Sequence, residues 1–234
     1  MQIKIALRKT SLIDYPGCIS SVIFFPGCNL RCPWCHNRDL VLGNETKDLV
    51  PLEEGLAHLL KRQSVLGGVV LSGGEPCIHA ELPGIIEEIK KLSLKVKLDT
   101  NGMFPAVLEK LFSRKETLPD YIALDLKIAP RRYSELKSRE PDDTLSQSAA
   151  LINNSGIFHE YRTLALPGGF ITENDIEALA PLTDDSPWYF RPFRAGNCLD
   201  PSWDSLEKST AEAVKDAKAL AEKAKKLGKT AFSA

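Results

Sequence analysis

Pro26–Asp39, PGCNLRCPWCHNRD, places Cys28, Cys32 and Cys35 in a C-x3-C-x2-C pattern within eight residues. The apolar run Val22-Ile23-Phe24-Phe25 leads into it and reads as a strand. The cysteines therefore fall on a loop just past a strand's carboxyl end. Three thiolates so close in sequence suit one soft metal centre. A four-iron cluster that only carries electrons takes a cysteine on each iron. Three cysteines leave one iron open to a small molecule.

Working outward, short apolar strands alternate with helical stripes. Strands are predicted at Ser20–Phe25, Gly68–Ser72, Lys95–Leu98, Tyr121–Leu124, Glu160–Leu166 and Trp188–Phe193. A further short strand is predicted at Ile3–Leu7, and Ile13–Gly17 reads as a turn. Helices are predicted at Leu52–Ser64, around Leu82–Leu92 and Val107–Phe112, at Thr144–Asn154, and briefly at Asp175–Leu182. This alternation implies parallel βαβ units. The predicted class is α/β, a partial (β/α)6 parallel barrel, short of the eight units of a closed one. After Pro201 the composition turns rich in Ala, Glu and Lys, predicting a helix from Leu206 to Leu227 stopped at Gly228. The expected organisation is a barrel domain over residues 1–204 with a helical extension, 205–234, packed on it. The lysines of that helix read as a solvated face.

Composition narrows the class of function. The chain has 234 residues, 43% apolar and 26% charged, with net charge −1. Such a balance gives no global field for nucleic acid or an acidic membrane. No run approaches the roughly 20 apolar residues that span a bilayer, and the first residues lack a signal-peptide core. The expected location is the cytoplasm. Half of the six cysteines crowd into one loop, which fits a metal centre in a reducing compartment better than disulfides.

The residues that can carry chemistry share one address. Cys28, Cys32 and Cys35 follow the first barrel strand, and Gly73, Gly74 and Glu75 follow the second. Asp99, Thr100 and Asn101 end the third, and Asp125 and Lys127 close the fourth. Arg162 lies in the fifth. In a parallel barrel these strand ends lie on one face, where active sites are built. Taken singly, Glu75, Asp99 and Asp125 read as helix-start or cap residues. The three cysteines read alternatively as a structural zinc site. Such a site wants four ligands, and His36, adjoining Cys35, is a poor fourth. Cys77 reads as a small buried thiol. Trp34 reads either as packing or as a ring to stack on a purine.

The C-x3-C-x2-C motif with Gly73-Gly74-Glu75-Pro76 resembles the radical S-adenosylmethionine superfamily. CPWCHNRD, DTNG at Asp99–Gly102 and DLK at Asp125–Lys127 resemble the glycyl-radical-enzyme activating enzymes. IDYPG at Ile13–Gly17 and FRPFRAGNCLDP at Phe190–Pro201 are similar to the single-cluster activating proteins of anaerobic ribonucleoside-triphosphate reductase. The resemblance covers about Ile13 to Pro201.

It implies that Cys28, Cys32 and Cys35 bind three irons of one 4Fe–4S cluster and that S-adenosylmethionine chelates the fourth. Gly73, Gly74 and Glu75 would meet the methionine amino group, with Asp125 and Lys127 along the ribose and carboxylate. Arg162 would add a positive donor, Trp34 would border the adenine, and Asn101 would belong to the same cofactor shell. Asp99, Thr100 and Asp125 correspond to positions that hold a monovalent cation. The implied activity is reductive cleavage of S-adenosylmethionine to a 5′-deoxyadenosyl radical, which installs a glycyl radical on a partner enzyme. The implied electron donor is of flavodoxin or ferredoxin type. Two rival readings are a radical enzyme acting on a small molecule or nucleoside precursor, and a non-catalytic zinc-binding module. Cys77 and Cys198 are departures from the family pattern.

Overall fold

The computed structural model describes residues 3–43, 49–206 and 210–233. The chain divides into two compact units. The first takes Met1–Asn29, Asp39–Thr100 and Ala106–Ile122; the second takes Leu30–Arg38, Asn101–Pro105 and Ala123–Ala234.

In the first unit, β1 (Lys4–Ser11) pairs antiparallel with β2 (Ser20–Phe25), and a five-residue helix α1 (Arg38–Leu42) follows the cysteine loop. β3 (Leu49–Pro51) adds antiparallel to the outer edge of β1 and runs into α2 (Leu52–Arg62). β4 (Gly68–Gly73), α3 (Leu82–Lys91), β5 (Lys95–Thr100) and α4 (Pro105–Phe112) complete it, with strand order β3-β1-β2-β4-β5. β2, β4 and β5 are parallel. The central strands are apolar along almost every residue because helices and sheet bury both their faces. Val22, Ile23, Val69, Val70, Leu71, Val96 and Leu98 are all nearly inaccessible. α3 turns Leu82, Ile85, Ile86 and Ile89 inward at helical spacing.

β6 (Tyr121–Asp125) starts in the first unit and ends in the second. The second unit continues with α5 (Thr144–Asn153), β7 (Phe158–Ala165), α6 (Glu173–Leu179), β8 (Trp188–Pro192), α7 (Thr210–Lys226) and β9 (Ala231–Ser233), in strand order β6-β7-β8-β9. β7, β8 and β9 are parallel. α6 begins in a capping box between Thr172 and Asp175. α7 packs on β8 and β9 through Ala213, Ala217, Ala221 and Ala224. It stops at Gly228, whose φ of 80° closes the last turn, with Lys229 N–H donating back to the Ala224 carbonyl at 3.1 Å.

The α/β class and all six expected barrel strands are present. Three short elements add to the expectation: β3, β9 and α1. Residues 207–209 of the predicted C-terminal helix lie outside the described residues. One of its lysines is less solvated than predicted: Lys223 pairs with Glu177 at 2.5 Å and Glu173 at 3.1 Å. Among the described residues, no helix is long and apolar enough to cross a membrane.

Candidate active site

The first unit contributes a cradle made of backbone. Past the end of β4, Gly74 N–H donates to the Phe25 carbonyl at 2.8 Å, and Glu75 N–H donates to the Gly27 carbonyl at 2.9 Å. Gly27 N–H in turn donates to the Leu40 carbonyl at 2.6 Å. The start of the cysteine loop is thus stitched to the Gly-Gly-Glu turn. Two chains this close leave no room for a side chain. A Cβ on Gly74 would be driven into the Gly27 carbonyl oxygen, and one on Gly73, at φ 115°, into the Phe25 backbone. His79 braces the same turn, its Nε2 2.8 Å from the Pro26 carbonyl and its ring 5.1 Å from that of Phe25. Nothing in the local sequence marks His79 for this role, because its partners lie some fifty residues earlier.

Glu75 is buried, and its carboxylate is oriented rather than loose. Oε1 accepts from Cys77 N–H at 3.0 Å and from the Thr100 hydroxyl at 2.9 Å. Cys77 Sγ sits 3.7 Å from Thr100 Oγ1. Burial, and then the neighbouring Glu75 charge, push the Cys77 thiol well up, so it stays protonated. That agrees with the small buried thiol read from the sequence. Asp99, at the end of β5, accepts from the Ser72 hydroxyl at 3.1 Å and faces the Lys97 ammonium at 3.0 Å. Cys28 is half-buried, with Sγ 3.9 Å from Asn29 Oδ1.

The second unit contributes charge and the rest of the cysteine loop. Cys35 N–H donates to the Cys32 carbonyl at 3.0 Å, making the turn that brackets Trp34. The segment after β8 straps this turn: Leu199 N–H donates to the Cys35 carbonyl and Asp200 N–H to the Pro33 carbonyl, both at 2.9 Å. Trp34 is buried in an aromatic group, its ring centre 5.2 Å from Phe170 and 5.3 Å from Trp203. Asn101 caps its own turn by accepting from Met103 N–H at 3.0 Å.

Asp125 lies between two cations. Arg162 Nε donates to Oδ1 at 2.8 Å, and Lys127 Nζ donates to Oδ2 at 3.2 Å. Burial alone would raise this carboxyl; the charges of Arg162 and then Lys127 overcome it and hold Asp125 well below the usual carboxylate range. Burial alone would lower Lys127; Asp125, with Cys32, Tyr133 and Cys35 adding to it, holds the ammonium well above its ordinary value. Lys127 therefore stays charged.

The six cysteines are thiols rather than disulfides. Burial, then Asp204, pushes the Cys198 thiol up to about 11. Among the described residues, no three His, Cys, Asp or Glu side chains are drawn together tightly enough to hold a single metal ion. The donor set of Cys28, Cys32 and Cys35 suits an iron–sulfur group, whose irons take thiolate ligands.

The first unit thus carries a glycine cradle at a strand end, and the second carries a caged carboxylate and two of the loop thiols. Residues 22–181 match the radical SAM superfamily model. A Methanocaldococcus jannaschii protein, provisionally named a glycyl-radical enzyme activating enzyme, is 34% identical over 203 residues, covering 84% of this chain and 82% of its own. The pyruvate formate-lyase 1-activating enzyme of Escherichia coli is 33% identical over 189 residues, 77% of this chain and 74% of its own. A radical SAM methyltransferase from Sphaerobacter thermophilus shares the fold at a TM-score of 0.68 and 17% identity, over 96% of this chain and 68% of its own. The chain spans about half the length of several other solved structures of this fold. The chain belongs to the radical SAM superfamily and, within it, to the glycyl-radical-enzyme activating family. Membership implies a 4Fe–4S cluster and S-adenosylmethionine as its cofactors.

Proposed function

We propose that this protein is an activating enzyme that reductively cleaves S-adenosylmethionine and installs a glycyl radical on a partner enzyme, an anaerobic ribonucleoside-triphosphate reductase. The observation that carries the reading is the position of Lys127. Its ammonium holds Asp125 at 3.2 Å and feels the sulfurs of Cys32 and Cys35. One ammonium thus pairs with the caged carboxylate and lies within electrostatic reach of two of the loop thiols.

Cys28, Cys32 and Cys35 are the proposed ligands of a single cluster. When bound, the reduced cluster would supply one electron to S-adenosylmethionine, whose C5′–S bond would break to give methionine and a 5′-deoxyadenosyl radical. The protein's share is binding, orientation and shielding. Glu75, fixed by Thr100 and Cys77 N–H, faces the methionine ammonium, and the Gly73-Gly74 backbone allows close approach. Asp125 orients toward the ribose hydroxyls, because its charge is secured by Arg162 and Lys127. Those two cations also complement the methionine carboxylate. Trp34, held by Phe170 and Trp203, borders the adenine, and Asn101 shapes the turn beside it. Asp99, Thr100 and Asp125 stand at the positions where the family pattern places a monovalent cation. A flavodoxin- or ferredoxin-type protein in a reducing, cytoplasmic setting supplies the electron.

The test is anaerobic reconstitution with iron and sulfide, followed by reduction with S-adenosylmethionine and the candidate reductase. A glycyl radical signal in electron paramagnetic resonance, lost with Cys28→Ala, Cys32→Ala or Cys35→Ala, is the expected result. Cleavage that persists in those variants overturns the ligand assignment. Cleavage without a radical on any such reductase overturns the partner.

A further inference from the structure

Lys97 is a lysine where a parallel strand should be apolar. It sits in the middle of β5, with a side chain only 3% exposed. A buried ammonium is costly unless paired. Three of the groups around Lys97 Nζ lie in the first unit. The ammonium is 3.0 Å from Asp99 Oδ1, donates to the Asp14 carbonyl at 2.9 Å, and lies 5.8 Å from the centre of the Tyr121 ring. A carboxylate oxygen, a carbonyl oxygen and a π face are the surroundings an alkali cation takes, and an ammonium is close to potassium in size. Residues 97 and 99 share a face of β5 by the two-residue period of a strand. Asp14 reaches the ammonium from the loop after β1, where Ser11 Oγ and Arg8 hold its carboxylate at 2.5 and 3.1 Å.

Asp99 faces Lys97 with Oδ1 and accepts from the Ser72 hydroxyl with Oδ2. The other positions of the family's cation pattern are engaged too. Thr100 donates its hydroxyl proton to Glu75. Asp125, in the second unit, carries Lys127 and Arg162.

We propose that Lys97 is a positioning residue: a tethered ammonium that serves Asp99 in place of an added monovalent cation. This rests on the reading of Asp99 as part of the cofactor shell. The enzyme is then indifferent to which alkali ion surrounds it. Removing the ammonium turns the place beside Asp99 into a site for a free small cation.

The test uses the reconstituted protein in potassium, ammonium or tetramethylammonium chloride at equal ionic strength. The binding of S-adenosylhomocysteine is measured by calorimetry. Wild type is expected to bind equally in all three salts. Lys97→Met is expected to bind about tenfold more weakly in tetramethylammonium, the loss of a charge-assisted contact, and to recover in potassium or ammonium. Lys97→Arg, which keeps the charge, is expected to need no rescue. A second readout needs no cofactor. The melting temperature of the unloaded protein should be independent of salt identity for wild type, and should rise by a few degrees for Lys97→Met when potassium replaces tetramethylammonium. Wild type that binds several-fold better in potassium overturns the proposal, even if Lys97→Met fails to fold. So does a folded Lys97→Met that ignores the cation in both measurements. Failure of wild type to bind S-adenosylhomocysteine in any salt instead overturns the cofactor reading, while the melting series still decides the role of Lys97.

Discussion

The Gly73-Gly74-Glu75 turn and the Asp125–Lys127–Arg162 group are held in place by opposite means. The turn works by exclusion. Its backbone is locked to Phe25 and Gly27 by two hydrogen bonds, and no Cβ fits. The charged group works by attraction, with three long or flexible side chains held in place by one another. Steric sites fail abruptly, because backbone cannot move aside. Electrostatic sites fail by degrees, because water and neighbouring side chains relax around a missing charge. The two regions therefore predict different responses to mutations of similar chemical size.

The largest effect is expected from Gly74→Ala. One methyl group collides with the Gly27 carbonyl and separates the cysteine loop from β4. Overpacking against backbone costs upward of about 3 kcal/mol. Denaturant unfolding should show that loss, and S-adenosylhomocysteine binding should vanish with it. If Gly74→Ala unfolds and binds like wild type, the steric account of the cradle is wrong. Asp125→Asn comes next. It leaves two cations without their shared anion, which in a fully buried site costs about 3–5 kcal/mol. With the Asp125 side chain 29% exposed, water offsets part of this, and about 2 kcal/mol is expected. Arg162→Met in the Asp125→Asn background should then cost little more. Additive losses would show that the three side chains do not act as a group.

The legible parts of the molecule are those encoded locally. Apolar runs of five or six residues ending in Gly73, Thr100 and Asp125 give both a strand and the chemistry at its end. A single chain segment therefore displays both to a reader of sequence. β3 and β9, at three residues each, are too short to show a period, and they form because β1 and β8 offer them an edge. Lys97 was legible as a strand residue but not as half of an ion pair. Its carbonyl partner, Asp14, is 83 residues earlier. Trp34 was visible between two cysteines, yet the rings that bury it come from Phe170 and Trp203. Long-range pairing, which periodicity does not record, supplied what was missed.

A smaller effect separates the two regions within one residue's reach. Thr100→Val keeps the shape of the side chain and removes the hydroxyl that donates to Glu75 Oε1 at 2.9 Å. Cys77 N–H still holds the same oxygen, so the carboxylate is loosened rather than orphaned. A loss of about 1 kcal/mol in stability is expected, with cofactor affinity falling by a factor of several. A loss as large as that of Gly74→Ala would mean that Glu75 depends on side chains, not on the backbone turn.

The smallest expected effect is that of pH, and its sign follows from which state holds the proton. Asp125 is depressed in the folded protein, by Arg162 and Lys127 against the opposing effect of burial. A depressed carboxyl contributes stability that is complete above its unfolded value, near 3.9, and is lost as pH falls through the folded one. Lys127 is raised, so its contribution is complete below its unfolded value, near 10.4, and is lost only as pH rises through the folded one. Between about pH 5 and 9 neither group changes its proton count on unfolding. The stability difference between wild type and Asp125→Asn, from denaturant midpoints at matched ionic strength, should therefore be flat across that window. It should shrink only below about pH 4, where the unfolded carboxyl takes up its proton first. A difference that stays flat down through about pH 3, or that grows as pH falls from about 7 to 5, would place the Asp125 carboxyl in the ordinary range or above. The two cations would then not hold it, and the attraction that distinguishes this region from the glycine cradle would be absent.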